Sequence, residues 1–362
     1  MGAIGRILII VVVVVVIAVG GAFFLLPKSA TRTESFVVER PAETVFARLA
    51  STPPGTQLAE GVTQNEIVSA ENNVVVANVA YADGATGTVT YTVTPDGDNS
   101  NVSVKLEQAL GSDLLQRAAA ITGGPVAPLA EAAAATVTAD LTALPDATFS
   151  GLQYEVVQIQ PQNFFYVENC SSDDASDITS VIAQAVAGIP PVMRQKGLTP
   201  SGPLMAVEPR VVADQYCYQV GYPFTGRAPT GALLIGKVGQ TPAGTALHMR
   251  YMGTEENVLA EVYDRMDALL AAAHLDDPAT REDDWPTFEV YNDDPTQAGG
   301  SRNRDIYYVT TGDISRLTAI SPPSALAAPA PAEAAPAEGA TTAAPAATEG
   351  ATTTPAPAPA TP

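Results

Sequence analysis

Short segments in which apolar and polar residues alternate recur through much of this chain, and they restrict its fold more than any other feature. Clear examples are residues 73–81, 87–94 and 101–107, with a turn-forming Pro-Asp-Gly-Asp stretch at 95–98. A period of two is typical of antiparallel strands that bury one face. The chain therefore has to form antiparallel sheets, with short connections between neighbouring strands.

Segments with apolar residues at helical spacing interrupt the strands at residues 41–49, 177–188 and 258–273. Pro190 and Pro191 are expected to end the second of these helices, because proline cannot donate a helical hydrogen bond. The order strand, helix, strand, strand occurs twice after residue 150, which indicates a duplicated module. Together these patterns predict the α+β class.

The amino terminus carries a long apolar run, residues 7–26, which contains no charged residue. At about 1.5 Å per residue this run would span about 30 Å, the thickness of a bilayer core. We predict a single-pass membrane anchor within residues 1–30; a cleaved signal peptide and a buried core helix are the alternatives. Arg6 lies before the run, and Lys28 and Arg32 follow it, so the flanking charges barely decide the orientation. The bulk of the chain follows the run, which favours a periplasmic location for the domains.

The charge of the chain excludes several partners. It has 39 acidic and 18 basic residues, a formal net charge of −21. Nucleic acids and anionic membrane surfaces are recognised by clustered Lys and Arg, so neither is expected as a partner. With two His and two Cys in the whole sequence, we predict no structural metal site and no cofactor.

The carboxyl-terminal residues 312–362 are dominated by Ala, Pro and Thr towards their end and have no aromatic residue. Such a segment cannot bury enough apolar surface to offset the entropy lost on ordering. We predict a disordered tail and see no motif in it that names a protein partner.

The segment 35–50, SFVVERPAETVFARLA, is a strand followed by a helix that begins with proline. With the antiparallel strands and the Ala-rich helical region after them, it resembles the SRPBCC superfamily of START-like and polyketide-cyclase-like domains. The resemblance implies a helix-grip domain at residues 31–149 with a curved sheet around a long helix. Residues 51–65 show no sign of the extra strand and short helices usual in that family. We therefore expect this domain to be structural.

Residues 150–311 resemble the GyrI-like domain, the effector-binding domain of AraC-type and multidrug-responsive regulators. The matching motifs are Gly202-Pro203, Gly221-Tyr222-Pro223-Phe224, Thr241-Pro242-Ala243-Gly244, Arg250-Tyr251-Met252-Gly253 and Phe288-Glu289-Val290-Tyr291-Asn292-Asp293-Asp294-Pro295. In that family a cleft between two modules holds small, often aromatic or cationic molecules. The resemblance implies that Glu289 and Tyr291 face such a cleft.

A carboxylate among aromatic side chains suits a cationic ligand, because the rings add cation–π attraction to the pairing of charges. The candidate ligand-binding residues are Glu289, Tyr291, Tyr251, Tyr222, Phe224, Trp285 and Tyr166. From the residues alone, Glu289 could also be a surface strand residue, and the aromatic side chains could be ordinary packing. Trp285 could be a lid over the ligand or a surface anchor.

Three functions fit these observations. The favoured one is a membrane-anchored binder of a small apolar or cationic molecule, without a DNA-binding domain, for sensing, sequestration or handover. The alternative is a GyrI-like hydrolase in which Glu289 acts as general base and Tyr251 or Tyr291 orients the substrate. A structural module with vestigial clefts is the third.

Three further features have ordinary interpretations. Cys170 and Cys217 lie on separate predicted strands, so an oxidising compartment would allow a disulfide, and a reducing one would leave two thiols. His248 alternates within a strand and His274 ends a helix, which does not indicate a catalytic Cys–His pair. The acidic residues near 276–294 lack the spacing of a calcium loop, so we expect a solvated loop.

Overall fold

The computed structural model describes Gly21 and residues 26–326, except residues 113, 123, 172–175, 213–214, 230–232, 234, 254–255, 278–284 and 297–301. Nearly all of the predicted membrane anchor, residues 7–26, and residues 327–362 of the predicted tail lie outside the described residues. The start of that predicted tail, residues 312–362, is ordered: it contains a helix at Ser315–Ile320 in which Leu317 is fully buried, so the prediction of disorder is wrong there. Within the part that is described, no helix combines the length and the apolar character needed to cross a membrane.

The amino-terminal half forms a six-stranded antiparallel sheet. Its strands are β1 (Ser29–Val38), β2 (Thr56–Ala59), β3 (Val62–Glu71), β4 (Val74–Tyr81), β5 (Thr86–Asp96) and β6 (Asn99–Ala109), in the order β1-β6-β5-β4-β3-β2. The helices of this half are α1 (Ala42–Ala50), α2 (Leu114–Ala119) and α3 (Val126–Thr142), with a 3-10 turn at Ala120–Thr122. The prediction of an α+β class with antiparallel sheets is confirmed.

The long helix α3 lies on this sheet and buries a face made largely of alanine. Ala130, Ala133, Val137 and Leu141 share one core with the sheet residues. Small side chains let the helix backbone approach the sheet closely, and the surrounding valines, leucines and tyrosines fill the remaining space. The interior of this half is therefore a packed core.

The expectation that residues 51–65 contain no strand is wrong. The structure has β2 at Thr56–Ala59, paired with β3 through a tight turn. Gly61 in that turn has a φ of +77°, a backbone conformation that favours glycine. A strand of four residues is too short to show a clear alternation, and Leu58 and Ala59 are buried next to each other.

The carboxyl-terminal half forms a nine-stranded sheet with helices between its strands. The strands are β7 (Glu155–Ile159), β8 (Asn163–Ser171), β9 (Thr199–Pro200), β10 (Leu204–Val212), β11 (Gln215–Thr225), β12 (Lys237–Gln240), β13 (Gly244–Met252), β14 (Thr287–Tyr291) and β15 (Asn303–Thr310). The helices are α4 (Ser176–Gln195), α5 (Glu256–Ala272) and α6 (Ser315–Ile320).

Helix α4 continues through Pro190 and Pro191 to Gln195, so the prediction that these prolines end it is wrong. A proline inside a helix costs about 3 kcal/mol. Ile189 and Met193 are fully buried in the core beneath this helix. Their burial on both sides of the proline pair offsets the lost hydrogen bonds and keeps the last turns helical.

The nine-stranded sheet is built from two similar halves that exchange their outer strands. The order β8–α4–β10–β11 recurs as β13–α5–β14–β15, and the sheet order is β12-β8-β11-β10-β14-β15-β13-β7, with β9 paired to β11. Strand β12 precedes β13 in the chain but pairs with β8, and β7 precedes β8 but pairs with β13. The two halves meet where β10 pairs antiparallel with β14.

The two sheets share a continuous interior. Ala271 of α5 belongs to the core of the six-stranded sheet, and Ala47 of α1 belongs to the core beneath α5. Contacts place both sheets in the same compact unit, which reaches Leu326.

Candidate functional site

Glu289 lies in the middle of β14, where the two halves of the nine-stranded sheet meet. Its register partners are Ala206 on β10 and Ile306 on β15. The matching segments Gly202-Pro203-Leu204-Met205-Ala206 and Trp285-Pro286-Thr287-Phe288-Glu289 align Ala206 with Glu289. The two residues are thus equivalent positions of the two halves, and they sit side by side at the junction.

Two helix-covered cores flank this junction. Ala206 and Tyr291 belong to the core under α4, whereas Ile306 belongs to the core under α5. Because side chains alternate along a strand, Glu289 and Tyr291 project from the same face of β14. Glu289 therefore lies on the helix-covered face, at the seam between the two cores.

The carboxylate of Glu289 is buried and has two partners. Its residue exposure is 6%, so the interpretation as a surface strand residue is wrong. The Tyr263 hydroxyl on α5 donates to Oε1 at 2.5 Å, and Nη1 of Arg304 lies 3.3 Å from Oε2. A buried charge is tolerated when an opposite charge and hydrogen bonds compensate it, and here both are present.

Arg304 on β15 completes the site, and the sequence analysis missed it. It stands opposite Tyr291 on one side and Tyr251 on the other. Its guanidinium carbon is 5.0 Å from the centre of the Tyr291 ring, within range of a cation–π contact. Arg304 alternates with Ile306 and Tyr308, both buried. A charged residue on an otherwise buried strand face is the signal that could have identified it.

The structure brings some predicted site residues together and separates others. Tyr291 and Tyr251 lie beside Arg304, whereas Tyr222 and Phe224 pack in or against the core under α4. Trp285 is buried in the core under α5, so its interpretation as a surface anchor is wrong.

Tyr166 belongs to the opposite face of the sheet. It stacks on Phe164 with ring centres 5.3 Å apart and packs against a separate cluster that contains Met205 and Phe288. Since Phe288 neighbours Glu289 in the strand, the two side chains project from opposite faces. The structure therefore does not place Tyr166 with Glu289.

That opposite face carries a polar cluster around Asp305. His248 Nε2 and Arg250 Nε each lie 2.9 Å from Oδ1, and Asn292 Nδ2 donates to Oδ2 at 2.8 Å. Burial alone would raise the pKa of Asp305, but the hydrogen bonds from His248, Asn292 and Arg250 outweigh it and lower the pKa to about 2. Asp305 is thus a fixed anion that ties β13 to β15.

A stack of rings lies beside Asp305. The His248 ring is 4.6 Å from that of Tyr307, which is 4.7 Å from that of Phe288. These side chains stand in register on β13, β15 and β14. Cross-strand ring pairs of this kind stabilise a sheet, so His248 has a structural role here.

A disulfide joins Cys170 on β8 to Cys217 on β11, which stand directly opposite each other. Among the described residues, no group of three or more His, Cys, Asp or Glu side chains is arranged to hold a metal ion.

No family model and no curated protein matches this chain. Solved structures with partial similarity include the protein SAV2435 bound to tetraphenylphosphonium, which is 10% identical, covers 43% of this chain and 92% of its own, and has a TM-score of 0.28. A putative bacterial transcription regulation protein from Staphylococcus aureus MU50 is 12% identical, with coverages of 45% and 100% and a TM-score of 0.28. A hydrolase encoded by lin2189 from Listeria innocua is 12% identical, with coverages of 43% and 91% and a TM-score of 0.28. Each similarity covers less than half of this chain, so the geometry around Glu289 has to carry the functional argument.

Proposed function

We propose that this protein binds a small molecule at the seam between the cores of α4 and α5, with Glu289 at the centre. The observation that carries the proposal is the buried Glu289, paired with the partly buried Arg304 and surrounded by Tyr251, Tyr263 and Tyr291. A few converging polar groups in apolar and aromatic surroundings are typical of small-molecule sites. The resemblance of residues 150–311 to GyrI-like domains is consistent with this proposal.

We further propose that the protein works in the periplasm, held at the membrane by residues 7–26, where it senses, sequesters or hands over its ligand. The Cys170–Cys217 disulfide supports an oxidising compartment. The net charge of −21 argues against a role on DNA. In this proposal residues 31–149, which resemble the SRPBCC superfamily, act as a structural partner of the binding half.

Native mass spectrometry of the full chain, purified gently from its own host, tests the proposal. We expect an additional discrete mass that is lost on collisional activation. Glu289→Gln should reduce the bound fraction several-fold, by about 1 kcal/mol or more, because it removes the charge that orients Arg304. Glu261→Gln is the matched control, since Glu261 lies on α5 with a side chain that is 59% exposed. A bound mass that Glu289→Gln leaves unchanged would contradict the site.

Hydrolysis with Glu289 as general base is the weaker candidate. Both carboxylate oxygens already have partners, Tyr263 at Oε1 and Arg304 at Oε2. A general base has to reach the proton that it abstracts, directly or through one water. Turnover of a reactive ester that Glu289→Gln abolishes would favour the enzyme over the binder.

A further inference from the structure

The charges of Glu289 and Arg304 balance each other. Glu289 contributes a negative charge, and its partner Arg304, whose side chain is 19% exposed, contributes a positive one. Arg304 also lies over the Tyr291 ring. The position that a cationic ligand would take, beside the carboxylate and over an aromatic face, is therefore occupied by a side chain of the protein.

A ligand of fixed positive charge would have to displace Arg304 from both contacts. That would break an ion pair that is largely shielded from water and a cation–π contact, and would leave the guanidinium to find a new partner. A ligand of fixed negative charge would leave an excess negative charge in the same surroundings. Since an unbalanced buried charge is costly, an uncharged ligand is the one that keeps the balance.

One hydrogen-bond donor of Arg304 lacks an acceptor. Its Nε is buried and has no hydrogen-bond partner among the described residues. A guanidinium carries five N–H donors in a fixed plane, and a buried donor without an acceptor costs free energy. An acceptor oxygen of a ligand would remove that cost once the side chains that cover Nε move aside.

We infer that Arg304 is an internal counter-cation that sets the ligand class of this site: an uncharged aromatic molecule with a hydrogen-bond acceptor, and not a molecule of fixed positive charge. The inference rests on the proposed function, because it presumes that the seam around Glu289 binds a ligand. It narrows the apolar or cationic ligand expected from the sequence to the uncharged class.

Three probes that carry phenyl rings on one central atom differ in net charge, and the two ions among them match each other in size and shape. Triphenylphosphine oxide is uncharged and offers an acceptor oxygen, tetraphenylphosphonium is a cation, and tetraphenylborate is an anion. Isothermal titration calorimetry of the full chain with each probe gives the three affinities. We expect the oxide to bind at least about tenfold more tightly than either ion, a difference of about 1.4 kcal/mol.

Substitutions at Arg304 assign the preference to this side chain. Arg304→Gln leaves the Glu289 carboxylate without an opposite charge and should strengthen tetraphenylphosphonium binding by about tenfold or more. Arg304→Lys keeps the charge but lacks Nε, so it should still reject the cation and lose affinity for the oxide. Arg302→Gln is the matched control, because Arg302 is an exposed arginine two residues away, and it should change none of the affinities.

The outcomes distinguish the two proposals. Wild-type protein that binds tetraphenylphosphonium as tightly as the oxide overturns the role of Arg304 and leaves the binding site standing. This comparison needs no variant, so it decides the question even if Arg304→Gln fails to fold. If no probe binds to the wild type or to any folded variant, both the inference and the proposed function are overturned.

Discussion

His274 shows how one residue connects the two halves of the molecule. It adopts a positive φ of 56° just after α5, and its Nε2 lies 2.9 Å from the carbonyl oxygen of Arg48 near the end of α1. Since a carbonyl can only accept, Nε2 carries the proton and donates it. Burial, together with the charges of Arg48 and Arg316, lowers the pKa of His274 below its ordinary value of 6.5. The folded protein therefore favours the neutral imidazole.

The stability of the protein should fall when His274 becomes protonated. Because the pKa in the folded state lies below 6.5, the unfolded chain binds more protons between the two values, and stability rises with pH there. The stability that depends on the neutral His274 side chain is fully present above pH 6.5, and it is lost as the pH falls from 6.5 through the lower pKa of the folded state. Urea unfolding between about pH 7.5 and about pH 5.5 should show this loss. His274→Asn, which tolerates the positive φ, should flatten the pH dependence, and an unchanged slope would disprove the role of His274.

At the scale of elements, the sequence reveals local secondary structure better than it reveals which strands pair with each other. The antiparallel strands and the helical positions of α1, α4 and α5 follow from patterns of neighbouring residues. The exchange of β7 and β12 between the two halves cannot be predicted this way, because it depends on contacts between distant strands.

The same limit applies to the site. Glu289 could be proposed from its neighbours in sequence, whereas Tyr263 and Arg304 reach it from α5 and β15. Those contacts exist only once the register of the sheet and the position of the helix are fixed. Asp276 is expected from the sequence in a solvated loop, but its Oδ1 lies 3.2 Å from Nη1 of Arg48. This contact also depends on the position of a helix that is distant in the sequence.

The disulfide between β8 and β11 supplies a prediction at this scale. The two cysteines are separated by 47 residues in the sequence, and closing a loop of that size stabilises the folded state by about 4 kcal/mol, because it lowers the entropy of the unfolded chain. We expect a thiol reductant to lower the denaturant midpoint of the wild type towards that of the double variant Cys170→Ser, Cys217→Ser. The double variant itself should not respond to the reductant; if the wild type does not respond either, the bond does not stabilise the fold.

Across the whole molecule, α1 and α5 satisfy each other's carboxyl-terminal ends. Arg48 Nη1 donates to the carbonyl of Ala271 at 2.6 Å, and Ser51 Oγ donates to that of Ala272. In return His274 donates to the carbonyl of Arg48. The last carbonyls of a helix lack partners within it and carry partial negative charge. The Arg48 guanidinium compensates that charge where the two helix ends meet.

Loss of Arg48 should therefore weaken both halves together. Its side chain is 14% exposed and pairs with Asp140 at 2.6 Å and Asp276 at 3.2 Å. Arg48→Met should cost about 2 kcal/mol, a value reduced because both carboxylates are partly exposed. Trp285 is buried in the core under α5, so its fluorescence reports unfolding of the carboxyl-terminal half, whereas Arg48 lies in the amino-terminal half.

Arg32→Met serves as the control, because the Arg32 side chain is 51% exposed, and we expect a change within about 0.5 kcal/mol. If the Trp285 transition keeps its midpoint in Arg48→Met, the two halves unfold independently and the contact does not couple them.

The exchange of β7 and β12 has a consequence for the order of events during synthesis. A ribosome releases β7 well before β13, with which it pairs. Strand β8 likewise waits for β12 to complete its outer edge. The first half can gain β12 soon after β11 has been made, because β12 is the next strand in the chain. Strand β7, in contrast, has no partner until β13 emerges, after β8, β10, β11 and β12 have been made. Strand β7 therefore stays unpaired while most of the nine-stranded sheet is synthesised, and during that time its free edge is open to pairing with the wrong segment.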